Sequence, residues 1–306
     1  MAAVELSNAA RSRGLKSRLA REPLAGWLSG YGLMAPAMIL LCIGVLGPCL
    51  LLAFSSFWMN GTPLEPGHMT LAHYVRFFSN PFYLQLLIRS IVMSLVVTLA
   101  IVVLSFPIAY LIAMHGGRWR MTWIVIISLP FWTSYLLRIF AWKVILGFNG
   151  VVNSSLMAAG LISQPLDILL YNPFAVVLTL THAWMPFVVL PIYVSLMKIP
   201  PELLEAATDL GDGPMRRFLR VTLPLALPGV ASGALLVFIP TVGDYVTPMM
   251  VGGPKGTMIG TIIAAQFGPA NNWPLGSAIS VITMVAVGLA ALLLHFAIFR
   301  IGRIAR

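Results

Sequence analysis

A chain of 306 residues that is 59% hydrophobic and only 9% charged, with a mean hydropathy of +0.93, lies above the roughly 45–50% apolar usage of soluble domains. It cannot hide its apolar surface in one aqueous core and reads as a membrane protein. The net charge of +10 could suggest nucleic acid, but the basic residues stand beside apolar runs rather than along one soluble face, so membrane topology accounts for them and no nucleic-acid partner is expected.

Crossing about 30 Å of hydrocarbon takes about 20 apolar helical residues. The chain offers six such runs, at about 32–58, 86–113, 119–145, 174–197, 225–250 and 276–300. The expected fold is an all-α membrane protein with about six transmembrane helices, with 1–30 a basic arm and 31–306 the membrane domain. Six spans place both termini on one side. Fourteen of the nineteen Lys and Arg residues fall in the arm (Arg11 to Arg21), at Arg118 and Arg120, at Lys198, Arg216, Arg217 and Arg220, and in the tail from Arg300. By the positive-inside rule these segments are cytoplasmic. The first apolar run is too long for a signal-peptide core and is expected to be retained as a span.

Within that span, Cys42 and Cys49 are seven apart on one helical face, which suits buried free thiols and neither a disulfide nor a metal site. The loop after it, "NGTPLEPGHMTLAHYVRFFSNPF", breaks helix with Gly and Pro, and its aromatics suit a short interfacial helix near 70–79. "HGGRWR" is a tight cytoplasmic turn between spans two and three. A short re-entrant or interfacial helix is expected around 150–162. Span five is irregular, with Pro240, Gly243, Pro248, Gly252, Gly253 and Pro254 close together. Breaks of this kind survive in hydrocarbon only where protein or water covers the freed backbone groups, so the outer half of the span should face the interior.

Between spans four and five lies a polar island, "PPELLEAATDLGDGPMRRFLRVTLPLALPG" at 200–229, which holds four of the nine carboxylates. Pro200 and Pro201 suit a helix start, with Glu202 and Glu205 near the positive end of its dipole. Leu203, Leu204, Ala207 and Leu210 give an apolar face. Gly211 caps the helix, and Asp212 or Gly213 opens a second one that runs to about Thr222, where Pro224 interrupts it. The product is a knob of helix, glycine turn and helix on the cytoplasmic side.

The order Glu205-Ala206-Ala207, three residues, Gly211, nine residues, Val221, one residue, Leu223-Pro224 resembles the EAA loop of permease subunits of ABC importers, with Val in place of the usual Ile. The resemblance extends from span one to the tail. It implies a type I importer permease fold of the bacterial inner membrane, in which Glu205, Ala206, Ala207, Gly211, Leu223 and Pro224 belong to a coupling helix that docks on an ATPase. It also implies the partners: a second permease subunit in a heterodimer, two ATP-binding cassette subunits that bind ATP and Mg, and an external solute-binding protein. No GxxxxGK[ST] loop occurs; "GGPKGT" at 252–257 has the wrong spacing. The chain is therefore expected to be a non-catalytic subunit without cofactor of its own.

"LPFWTSYLLRIFAWKVIL" at 129–146, "FIPTVGDYVTPMMVGG" and "NWPLGSAIS" look like the first permease of spermidine/putrescine-type importers; relatives of the same architecture carry opines, phosphonates or ferric iron. Asp244 is the lone carboxylate deep in a predicted span, and an intramembrane charge should face a cavity or a counter-ion. It could attract an ammonium group, helped by Trp132, Tyr135, Trp184 or Tyr245, or pair with Arg138 or Arg89. Arg138 would repel a polyamine unless neutralised. A secondary transporter would want ionisable residues in several spans, and a membrane enzyme a convergent nucleophile or metal set. The five histidines, at 68, 73, 115, 182 and 295, form no such set.

Overall fold

The computed structural model describes residues 22–58 and 68–304. Residues 1–21 of the basic arm, residues 59–67 in the loop after span one, and residues 305–306 lie outside the described residues. The chain divides into two compact units, Met1–Phe54 and Ser55–Arg306. Helix α1, Glu22–Ser55, supplies the described part of the first unit up to Phe54 and accommodates Pro36 and Pro48. Cys42 is exposed and Cys49 half-buried, both as free thiols; the expectation of buried thiols is corrected, because neither is covered by its own unit.

The second unit is helical throughout its described elements. Helix α2 (Ala72–Ser79) is the short helix expected near 70–79. It leads into α3 (Pro81–His115), whose start is set by Pro81 in the first turn and by Asn80, whose side chain accepts from Phe82 N at 3.0 Å. The same Asn-Pro device opens α7 (Pro173–Trp184), where Asn172 Oδ1 accepts from Ala175 N at 3.0 Å. Each pair satisfies an otherwise free N–H at a helix start, where proline needs no donor.

Two predicted spans are interrupted. The run 119–145 splits into α4 (Arg120–Ser128) and α5 (Tyr135–Leu146). Between them Leu129–Trp132 tightens into a 3₁₀ turn around Pro130, and Thr133 is extended. By length and composition the span is Tyr135–Ala158, which includes α6 (Val151–Ala158), the short helix expected around 150–162. The run 174–197 is two helices, α7 and α8 (Pro186–Met197), bent by 49°. The bend falls at Met185, where Pro186 cannot donate to the preceding turn. Counting the bent pair as one, six stretches are long and apolar enough to cross a membrane.

The island forms α9 (Pro201–Asp209) and a one-turn helix α10 (Pro214–Arg217). Here the sequence expectation is corrected: Pro224 does not interrupt. A π-helical turn at Phe218–Thr222 carries α10 directly into α11 (Leu223–Val242), because Pro224 falls in the first turn of α11 and needs no donor. Helix α12 (Ile259–Phe267) had no counterpart among the predicted spans, and α13 (Trp273–Ile304) closes the chain.

The core is built on α3, α8 and α11, through buried Val97, Ile101, Val188, Ile192, Ala226, Val230 and Val237. Gly229 and Gly233 allow the closest approach. A Cβ on Gly229 would meet the Pro191 carbonyl and come within 2.5 Å of Ser195 Oγ, and one on Gly233 would lie 3.2 Å from Val188. Small residues at such crossings let membrane helices gain van der Waals contact where no water is available to drive association.

Candidate functional site

The break in span five is built by its own sequence. Helix α11 ends at Val242, Asp244 N donates to Thr241 O at 3.2 Å, and Val246 N donates to Asp244 Oδ1 at 3.0 Å. The carboxylate therefore caps the next helical turn, which ends in a π turn at Pro248–Gly252. Helix α12 begins against this break: a Cβ on Gly260 would meet Gly243 O and stand 2.8 Å from Asp244 O. Thr241, Thr247, Pro248, Val251 and Gly252 are buried, so this part of the span faces protein as expected.

Tyr135, the first residue of α5, donates its hydroxyl to Asp244 Oδ2 at 2.7 Å and stands 2.9 Å from Thr247 Oγ1. A hydroxyl has one proton, so Thr247 donates to Tyr135 while Tyr135 donates to Asp244. Of the two alternatives for Asp244, the pairing with Arg138 or Arg89 is not the one the structure records. Arg138 Nη1 donates to Ala183 O at 2.8 Å, beside the bend between α7 and α8. Its guanidinium stands over Phe131 and Tyr135 at 5.9 and 5.8 Å from the ring centroids. Arg89 Nη1 donates to Lys255 O at 3.3 Å. Among the described residues the structure records no ion pair to Asp244.

Aromatic rings surround this pair. Trp184 lies 6.3 Å from Tyr135 and 5.2 Å from Phe187, and Phe187 meets Phe131 edge-on at 4.7 Å. Trp184 Nε1 is buried and has no partner among the described residues. The structure thus brings together Tyr135, Arg138, Trp184 and Asp244. It does not bring Trp132, which is 84% exposed and turned out by the 3₁₀ turn at Pro130. Tyr245 is adjacent in sequence and half-exposed. Thr247, Phe131 and Phe187 were missed; Thr247 alone had a legible signal, a polar residue one helical turn after Asp244.

The knob is the second site. Helix α9 ends in a Schellman motif: Gly211 N donates to Thr208 O at 2.9 Å and Asp212 N to Ala207 O at 3.0 Å, with Gly211 at φ +85°. Gly213, one of the two expected positions, is the N-cap of α10, and Asp212 does not cap. Asp212 instead pairs with Arg220 at 3.1 Å, and Arg217 Nη1 donates to Thr208 Oγ1 at 3.0 Å. An ion pair this exposed adds at most about 1 kcal/mol; the firmer anchor is Phe218, edge-on to Phe106 and Tyr110 of α3 at 5.5 and 6.1 Å. The predicted apolar face of α9 is divided: Ala207 is buried and Leu204 packs on the core, whereas Leu203 and Leu210 are exposed. Of the remaining motif residues, Glu205, Ala206 and Gly211 are exposed, Leu223 is half-buried and Pro224 is buried.

Residues 26–304 match the family described as binding-protein-dependent transport system inner membrane component. The chain belongs to this family. It is an ABC importer permease. Over 232 residues it is 36% identical to the spermidine/putrescine transport system permease protein PotB of Haemophilus influenzae, covering 76% of this chain and 80% of that protein. The PotB of Escherichia coli is 37% identical over 223 residues, covering 73% and 80%. The inner membrane ABC transporter permease protein YdcU of Escherichia coli is 32% identical over 249 residues, covering 77% of each. Among solved structures, a bacterial ABC transporter that imports the acidic polysaccharide alginate superposes with a TM-score of 0.68 at 18% identity, covering 92% of this permease and 99% of that chain. The permease is thus an all-helical importer subunit, and its fold is that of other ABC importers.

Proposed function

We propose that this permease forms half of the membrane pathway of a polyamine importer, with Asp244 as the carboxylate met by the ammonium groups of the solute. The observation that carries the reading is that this intramembrane carboxylate is held by Tyr135 and a backbone N–H rather than by an arginine. A hydrogen-bonded carboxylate keeps its negative charge available to a passing cation, and an intramembrane charge is expensive unless it serves such a path. Tyr135 and Trp184 supply faces for cation–π attraction. The PotB relatives point the same way by name.

The rest of the assembly follows the family. A second, different permease subunit completes the pathway, an external binding protein delivers the solute, and two ATPase subunits, which hold ATP and Mg, dock on the knob through Glu205, Ala206, Ala207, Gly211, Leu223 and Pro224. Exposed Leu203 and Leu210 would enter the ATPase cleft. This chain then does no chemistry itself. Both termini, the turn at Arg118 and Arg120, and the knob are cytoplasmic, with 1–30 as a basic arm and 31–306 as the membrane domain. ATP closure of the ATPases brings the two knobs together and opens the pathway between the two permease subunits outward; hydrolysis reverses it.

Arg138 favours a second reading. Its Nε is buried without a partner among the described residues, so a solute carrying a carboxylate beside its amine, such as an opine, would satisfy both charges.

Asp244→Asn tests the role given to the carboxylate in the polyamine reading. In vesicles containing the full complex and its binding protein, the variant is expected to lower spermidine uptake about tenfold or more while ATPase subunits still copurify. Undiminished uptake of the preferred cation would remove Asp244 from the path.

A further inference from the structure

The turn joining α3 to α4 borders an open cavity of about 420 Å³, within the roughly 300–1,000 Å³ of ligand pockets. Ile108, Leu111 and Ile112 of α3 line one part, and Trp123, Ile126 and Ile127 of α4 another, so the walls are apolar. Its polar end is His115 and Gly116. The stem of Arg120 lies against that end, since a Cβ on Gly116 would stand 2.6 Å from Arg120 Cγ. Arg120 Nε is buried and has no hydrogen-bond partner among the described residues. Arg118 follows, its guanidinium 5.7 Å from the Trp119 ring centroid. No ion pair is recorded for either arginine among the described residues, and the sequence has no carboxylate between Glu65 and Asp167.

An unsatisfied buried guanidinium N–H is costly, and five donors in a fixed fork suit phosphate. A free phosphate would use the arginines and leave the apolar walls idle; a neutral lipid would use the walls and leave Arg120 unpaired. An amphiphile with one anionic headgroup uses both. We infer that this cavity binds an anionic glycerophospholipid, its acyl chain between α3 and α4 and its phosphate on Arg120 and Arg118. The leaflet, though not the site, rests on the cytoplasmic placement of this turn proposed above, where anionic headgroups attract basic residues. The site adjoins the knob: Phe106 and Tyr110, on which Phe218 of the knob packs, lie two residues to either side of Ile108 on α3, so a lipid there would bind the helix end against which the knob rests.

The test places photoactivatable phosphatidylglycerol or phosphatidylcholine, with a diazirine in the acyl chain, in vesicles containing the full complex, and maps the labelled peptides. Residues 108–127 are expected to take several-fold more label from phosphatidylglycerol. Arg120→Gln should lower that label about fivefold, Arg120→Lys should keep the preference, and Leu111→Trp should fill the cavity and reduce labelling by both lipids. Unchanged labelling of α13 reports that each variant is folded. Equal labelling by the two lipids, or labelling indifferent to Arg120→Gln, overturns the site. The assay needs no transport, so failure of the polyamine reading leaves it intact. Confining the probe to one leaflet checks the topology separately, because label from the outer leaflet would reverse the orientation and leave the site in place.

Discussion

Gly229→Leu is expected to abolish recovery of folded permease. At this position α8 and α11 cross so closely that even a Cβ would press on the Pro191 carbonyl and on Ser195, whose Oγ and Cβ would lie at 2.5 and 2.8 Å. The first of these obstacles is backbone, which cannot swing aside like the end of a flexible side chain. Overpacking in a tight core typically costs about 1–3 kcal/mol, and four added carbons at a helix crossing belong at or beyond the upper end. Gly288→Leu is the matched control, because no heavy atom lies within 4 Å of a Cβ there. Size-exclusion chromatography of the purified chains should show at least about tenfold less monodisperse Gly229→Leu than Gly288→Leu. Equal recovery would mean that α8 and α11 do not cross at Gly229.

Gly211→Val tests the knob with the opposite kind of defect. Nothing lies within 4 Å of a Cβ at Gly211, so the chain should insert and fold, but φ is +85°, in the left-handed region where a Cβ collides with the following carbonyl. That conformation costs about 1–2 kcal/mol for an ordinary residue and more for a β-branched one. The cheapest relief is to open the Schellman motif, releasing the bonds from Gly211 N and Asp212 N and tilting α9 against α10. Uptake should fall about tenfold or more while the amount of folded permease in the membrane is unchanged. Gly211→Asn, which tolerates left-handed backbone, should retain most activity. Normal uptake in Gly211→Val would remove the loop from the coupling role proposed for it.

What the sequence made legible follows from what each signal encodes. The runs of apolar residues gave about six spans because hydrocarbon thickness sets their length, but not all their bounds: the run read at 119–145 is broken at Pro130, and the apolar stretch long enough to cross is Tyr135–Ala158. The residues Pro200, Pro201 and Gly211 marked the ends of α9 because proline's fixed φ suits a helix start and glycine takes the positive φ of the helix end without strain. Proline was ambiguous elsewhere: Pro224 sits harmlessly in a first turn, Pro186 bends a span by 49°, and Pro130 breaks one, depending on which carbonyl each would have to face. Asp244 stood out by rarity, but its partner did not. Tyr135 is 109 residues away, and nothing local distinguishes a tyrosine that donates to a carboxylate from one that anchors a membrane interface. For the same reason the wall of Phe131 and Phe187 was invisible, and Trp132, equally aromatic, is turned outward.

The most direct test of the account is ATP-driven uptake by the reconstituted complex, with its binding protein, of spermidine, putrescine, an opine and a phosphonate under one set of conditions. Saturable uptake of a polyamine, with little of the opine or phosphonate, is the predicted result. Preference for the opine or the phosphonate would leave the permease an importer subunit but contradict the polyamine assignment, and Arg138 rather than Asp244 would become the residue that selects the solute.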